Sequence, residues 1–146
     1  MATTHLIFVY GTLMSTATGS YGASARGRLV SASKPVGWGT VAGKLYDLGA
    51  YPGLVVDARA DCDRSLVRGE IRALGDPEAV WPWLDRYEGI AGGDRAVDDY
   101  RREVRYVRPD GQRDEVAAWL YVYQGPLVGA RLVAEGFWGR RRGWTS

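Results

Sequence analysis

The sequence predicts an α+β fold, a small mixed β-barrel or sheet with one or two packed helices. Three observations lead there. Strand-like stretches outnumber helical ones, and only the stretch opening at Asp76-Pro77 carries a full helical signature. Val116 to Tyr123 is apolar on both faces, as in a central or barrel-lining strand. At 146 residues the chain suits one domain, residues 1–146, with a basic tail from about 139. No repeat or domain boundary interrupts it.

The first element is the run Leu6-Ile7-Phe8-Val9, which reads as a buried strand that Gly11 stops. A glycine there lets the backbone turn sharply and lets a ligand approach peptide N–H groups without meeting a Cβ. Tyr10-Gly11 either merely ends a core strand or opens a cluster of donors made of N–H groups and the Tyr10 and Thr12 hydroxyls. Met14 to Gly22 is small and polar, hence a loop, followed by a helical turn near Ala23 to Arg28 and a strand from Leu29.

Gly37-Trp38-Gly39-Thr40-Val41-Ala42 formally fits a dinucleotide-binding pattern. However, no helix can open into Gly43-Lys44-Leu45-Tyr46-Asp47-Leu48-Gly49, so the glycines read as bulge or close-packing positions in a sheet. Tyr51-Pro52-Gly53 is a turn signature, and Leu54-Val55-Val56 resumes as strand. Asp57 to Arg64 is a charged surface loop. Leu66 to Leu74 alternates, with Val67, Ile71 and Ala73 on one face and Arg68, Glu70 and Arg72 on the other. Between two arginines, Glu70 reads as an exposed ion-pair member.

Asp76-Pro77 pairs a capping residue with proline at the first helical position. Val80, Trp81, Leu84 and Tyr87 then form an apolar stripe. Pro82 requires either a kink or a later start, and Gly89 ends the helix. Ala91 to Asp99 reads as a solvated connection, or else as an acidic loop facing a cationic amine. Tyr100 to Val107 is a strand, Pro109-Asp110-Gly111 a hairpin turn, and Val116 to Tyr123 the return strand. The segment around Phe137-Trp138 is expected to cover a sheet edge.

Composition narrows the function. The chain is 46% hydrophobic and 25% charged, as in a soluble globular protein, and no apolar run nears the roughly 20 residues that span a bilayer. The expected location is cytoplasmic, with no membrane partner. A net charge of +2, with acids and bases interspersed, lacks the clustered basic face of a nucleic-acid binder. Arg140-Arg141-Arg142 reads as a solvated tail, with an anionic partner as the alternative. Cys62 and His5 are the only residues of their kinds, which excludes an internal disulfide and a Cys/His metal cluster. Carboxylates beside Cys62 disfavour its thiolate, and His5 lies ahead of the first strand. Acid–base chemistry therefore falls to carboxylates, tyrosines or backbone.

One carboxylate stands out. Glu88 sits at a helix C-terminus, where the macrodipole disfavours negative charge, and its phase places it on the apolar stripe. It invites either a structural hydrogen bond or a raised pKa suited to proton transfer.

Val9-Tyr10-Gly11-Thr12-Leu13, Leu45 to Val55, Gly69-Glu70, Leu84-Asp85-Arg86-Tyr87-Glu88-Gly89, Tyr100-Arg101-Arg102 and Ala118 to Tyr123 occur in that order. Together, over Leu6 to about Trp138, they resemble the gamma-glutamylcyclotransferase-like superfamily. Thr12-Leu13 looks closest to its gamma-glutamylamine branch, while Glu135-Gly136-Phe137 departs from the common pattern. The resemblance implies a barrel with Tyr10, Gly11, Thr12 and Leu13 at a cavity mouth, holding a γ-glutamyl group. It implies Glu88 as the catalytic residue and Tyr100 as a cavity-lining one. The implied reaction is attack of the substrate's α-amino group on its own γ-carbonyl, releasing 5-oxoproline and an amine, with no metal or cofactor required. The implied partner is a small γ-glutamyl compound, and the expected assembly a monomer or homodimer. The alternatives are a binding or interaction protein that keeps the cavity without turnover, and a deacylase freeing a larger amine.

Overall fold

A computed structural model of the chain describes residues 4–17, 22–49, 51–56, 65–88 and 100–138. The Asp57–Arg64 and Ala91–Asp99 stretches, Cys62, Gly89 and Arg140–Arg142 lie outside the described residues. The elements run β1 (Leu6–Val9), α1 (Ala23–Ser31), β2 (Ser33–Ala42), β3 (Lys44–Asp47), β4 (Pro52–Val55), β5 (Leu66–Leu74), α2 (Pro77–Tyr87), β6 (Tyr100–Pro109), β7 (Val116–Tyr123) and β8 (Arg131–Leu132). Five strands close a barrel in the order β1-β5-β2-β6-β7, beside a three-stranded sheet β4-β3-β8. One pairing, β1 with β7, is parallel. This is the small mixed barrel with two helices that the sequence predicts.

Strand alternation decides what faces the helices. Ile7 pairs with Trp119, and Val9 with Glu70, so Ile7, Val9, Glu70, Trp119 and Tyr121 share the outer side of the wall. That side meets α2, where Trp119 stands edge-on to Trp81 at 5.5 Å and Tyr121 donates to Asp85 at 2.6 Å. Phe8, Ile71, Leu120 and Val122 point the other way, into the barrel, and all are buried. Burying each large side chain of this kind is worth roughly 1.5–3 kcal/mol.

Covered on both sides, β5 departs from the half-exposed strand read from its alternation. Glu70 and Arg72 are only 5% and 4% exposed. They do form an ion pair, but a buried one; of the three charged residues on that face, Arg68 alone reaches solvent, and it pairs with Asp110.

Three local expectations are corrected. Leu29 does not begin a strand: α1 continues to Ser31, with Leu29 as its one buried residue. A single buried position leaves no periodicity to read. Tertiary contact holds the helix instead, through the Arg28 guanidinium 4.5 Å from the Trp83 ring. Pro52 and Gly53 do not form the turn but open β4; the turn lies before them, closed by Leu48 N–H to the Tyr51 carbonyl at 3.0 Å. Gly53 serves close packing, since a Cβ there would meet Tyr123 at 2.8 Å. Asp76 is the N-cap of α2 in extended conformation, yet its side chain makes no capping bond.

Other expectations hold. The glycine-rich stretch lies in β2, with a register shift between Pro35 and Gly37. Helix α2 has the expected proline start at Pro77, but Pro82 does not delay it: the helix runs on through that residue, which lies on its exposed side. The β6–β7 hairpin has the expected strands and turn. Trp138 is buried, Phe137 stands edge-on to Trp38 at 6.0 Å, and the Gly136 carbonyl accepts from Arg68 N–H at 2.8 Å, so this segment covers β5.

Candidate functional site

The end of β1 becomes a β-turn: Met14 N–H bonds the Gly11 carbonyl at 3.1 Å, leaving Thr12 and Leu13 as central residues. Among the described residues, the N–H groups of Gly11, Thr12 and Leu13 have no hydrogen-bond partner. Gly11 and Leu13 are buried, and buried N–H groups rarely stay unpaired in a protein without a ligand or water to take them. Glycine at position 11 is required by space, because a Cβ there would lie 2.6 Å from Cγ of Pro52.

This turn forms one wall of a cavity of about 150 Å³, below the size that holds drug-sized ligands. The other walls are Phe8, Val9, Tyr51, Pro52, Tyr87, Glu88, Tyr100 and Tyr121. Tyr10, Gly11, Thr12, Leu13, Glu88 and Tyr100, all singled out from sequence, thus meet at one place. Glu88 arrives from the C-cap of α2 and Tyr100 from the first residue of β6.

The hydroxyls expected to join the donor cluster are otherwise engaged. Tyr10 donates to the Tyr121 carbonyl at 2.6 Å and accepts from Leu54 N–H at 3.3 Å. Tyr100 donates to the Pro52 carbonyl at 2.7 Å, and the Thr12 and Tyr87 hydroxyls share a bond at 3.0 Å. With these hydroxyls engaged, the backbone N–H groups of the turn are the unclaimed donors in the cavity wall.

Glu88 is half-buried among these rings. Burial, and then the Asp85 carboxylate one turn back on α2, push its pKa from an ordinary 4.5 up to about 8. Burial above all pushes the Tyr10, Tyr100 and Tyr121 hydroxyls well above the usual tyrosine range, helped at Tyr121 by its bond to Asp85, at Tyr100 by Tyr10, and at all three by the Glu88 charge. Among the described residues no group of three metal-ligating side chains occurs, and no helix is long and apolar enough to cross a membrane.

The sequence profile described as Gamma-glutamyl cyclotransferase, AIG2-like, matches residues 7–140. The chain belongs to this AIG2-like gamma-glutamylcyclotransferase family. Cyclotransferase-type activity is the family's general chemistry. Solved structures agree on the fold. Protein ytfP of Escherichia coli is similar at 28% identity and TM-score 0.60, over 93% of this chain and 97% of that one. An AIG2-like protein of Mus musculus is similar at 21% identity and TM-score 0.60, over 84% and 80% of the two chains. The uropathogenic E. coli-specific protein c4763 is similar at 18% and 0.61, over 99% and 100%. No curated protein sequence matches the chain.

Sequence reasoning missed the AIG2-like site's supporting layer. Asp85 accepts from Arg102 Nε at 2.9 Å and Nη2 at 3.2 Å, and from the Tyr121 hydroxyl at 2.6 Å. Arg102 lies 4.0 Å from the Trp81 ring centroid and 4.8 Å from that of Trp119. Asp85 and Arg102 both lie in stretches that carried the family resemblance, but nothing local says they meet. Asp85 sits three residues before Glu88, a helical neighbour position, and that spacing was the available signal.

Proposed function

We propose that the protein is a cofactor-independent gamma-glutamylcyclotransferase acting on a γ-glutamyl amide or amine, with Glu88 as its general base and acid. The observation that carries this reading is a single carboxylate of raised pKa sharing a small cavity with unpaired N–H groups at a strand-end turn.

The nucleophile belongs to the substrate, so holding a folded γ-glutamyl conformer supplies much of the rate. Glu88 takes a proton from the α-ammonium, and the freed nitrogen attacks the γ-carbon. The carbonyl electron pair moves onto oxygen, where the N–H groups of Gly11, Thr12 and Leu13 receive it. Collapse re-forms the carbonyl and breaks the bond to the leaving nitrogen. Both protons lost by the α-ammonium end on the departing amine, so Glu88 finishes as it began. The walls Tyr51, Tyr100 and Tyr121 exclude water from a ring closure that needs none. The Thr12-Leu13 form favours a γ-glutamylamine among the substrates.

Mass spectrometry of products from a panel of γ-glutamyl amines, amides and dipeptides tests the proposal. Equimolar 5-oxoproline and amine are expected from at least one class. Stabilisation by these compounds without any product would instead establish a binding protein.

The pH profile follows from Glu88. The reactive pair is an ionised Glu88 and a protonated α-amine, so kcat/KM rises with pH through about 8 and falls again as the ammonium deprotonates. Asp85→Asn removes a carboxylate that holds the Glu88 pKa up, so the rising limb moves to lower pH. A limb that stays in place, measured at subsaturating substrate, would show that Asp85 does not act on Glu88.

A further inference from the structure

Glu70 is a buried carboxylate outside the cavity, and its oxygens are occupied in an unusual way. Oε1 accepts from Ser15 N–H at 2.8 Å, and Oε2 accepts from Ser15 Oγ at 2.7 Å and from Arg72 Nη1 at 3.1 Å. Ser15 lies at the protein surface, yet turns both its polar groups inward onto this one side chain. Arg72 in turn donates to Ser33 Oγ at 2.7 Å, and Ser33 donates to the Leu29 carbonyl of α1 at 2.6 Å. From the same helix, Arg26 donates to the Thr12 carbonyl at 2.8 Å.

These bonds converge on the Gly11–Met14 turn. Ser15 is the first residue after it, and the barrel wall grips Ser15 through two hydrogen bonds to one carboxylate. Bonds to an ionised acceptor are about twice as strong as neutral ones. A buried acid with an arginine partner is also a weak choice for stability alone, since apolar residues of similar volume often serve as well or better. Its placement makes sense as a geometric device. A turn whose N–H groups must meet an oxyanion has to be held still before the reaction, because those donors act only if already aligned.

We propose that Glu70 is a positioning residue. By clamping Ser15 it fixes the Gly11–Leu13 N–H groups in the orientation that receives the oxyanion. Glu70 touches no reacting atom, and the inference rests on the cyclotransferase reading for its kinetic consequence.

The experiment uses Glu70→Asp, which keeps the charge that Arg72 requires but withdraws the carboxylate by one methylene. Ser15→Ala removes only the hydroxyl bond, and Ser15→Thr restores it. For Glu70→Asp, kcat per folded protein is expected to fall roughly 10–10²-fold, as for a reacting group misplaced by about 1 Å. KM stays within about twofold, because the donors act in the transition state rather than in substrate binding. The rising pH limb stays where it is, since Glu88 is untouched. Ser15→Ala falls by a smaller factor, and Ser15→Thr recovers. A Glu70→Asp variant with kcat within about twofold of the parent would overturn the proposal, as would a loss confined to melting temperature.

Amide hydrogen exchange gives a readout independent of turnover. Ser15 is an exposed residue whose amide donates to Glu70, so that amide should exchange slowly in the parent and much faster in Glu70→Asp. Fast exchange in the parent would overturn the clamp. Slow exchange that the variant abolishes, in a protein that makes no 5-oxoproline, would support the clamp and refute the cyclotransferase reading instead.

Discussion

Replacing Glu88 with glutamine should lower turnover by about 10²–10⁴, the span usual for general acid–base catalysis, while the protein still folds and binds its substrate. Glutamine keeps the shape of the side chain and loses only the proton exchange. Near-normal 5-oxoproline production by this variant would remove Glu88 from the mechanism. The same substitution should change stability in the opposite sense. Glu88 titrates near its ordinary 4.5 when unfolded and near 8 when folded. Between those values the native state holds a proton that the unfolded chain has lost. The parent is therefore fully stabilised below about 4.5 and progressively destabilised as pH rises through about 8. The loss is on the order of a few kcal/mol, and glutamine does not incur it. Thermal unfolding at pH 6 and pH 9 should show the variant gaining on the parent as pH rises. A constant gap would place Glu88 in a more polar setting than its neighbours indicate.

Gly11→Ala should have the next largest effect. The new methyl group would sit 2.6 Å and 2.8 Å from the Pro52 ring, which cannot swing aside as a flexible side chain would. Pro52 also carries the carbonyl that anchors the Tyr100 hydroxyl, so relief of the clash moves two cavity walls together. Overpacking of this kind costs about 1–3 kcal/mol of stability. Displacing the oxyanion donors should cost turnover roughly 10²–10³-fold. Steady-state kinetics beside thermal melts separate the two effects. A variant that is destabilised yet fully active would show that the turn does not receive the oxyanion.

Legibility in the sequence followed the range of the forces involved. The β6–β7 hairpin was readable because alternation and turn chemistry are local, and Pro109-Asp110-Gly111 states both. The convergence of Gly11 and Glu88 was readable through the ordered motifs, with the acid on the apolar stripe as a physical signal of its own. The burial of Glu70 was not readable. Its flanking arginines resemble a solvated face, whereas Ser15, returning over β5, bonds both carboxylate oxygens, and Arg72 folds onto it. The length of α1 was hidden likewise, because a contact between Arg28 and Trp83 holds that helix where its own pattern is too sparse. The Tyr10 and Thr12 hydroxyls looked free from the sequence, whereas Tyr10 is bound to the distant Tyr121 carbonyl and Thr12 shares a bond with the Tyr87 hydroxyl.

The parallel pairing of β1 with β7 has a consequence for how the molecule is made. Thr4 donates to the Ala117 carbonyl, and the Trp119 indole donates back to the Thr4 carbonyl, across separations of 113 and 115 residues. Such distant partners make chain closure slow, in the range of milliseconds to seconds for strand-dominated topologies. On the ribosome, the first strand must wait unpaired on that side until its far neighbour emerges. Its apolar edge is then a target for chaperones, and any cyclising activity should appear only after nearly the whole barrel has been synthesised.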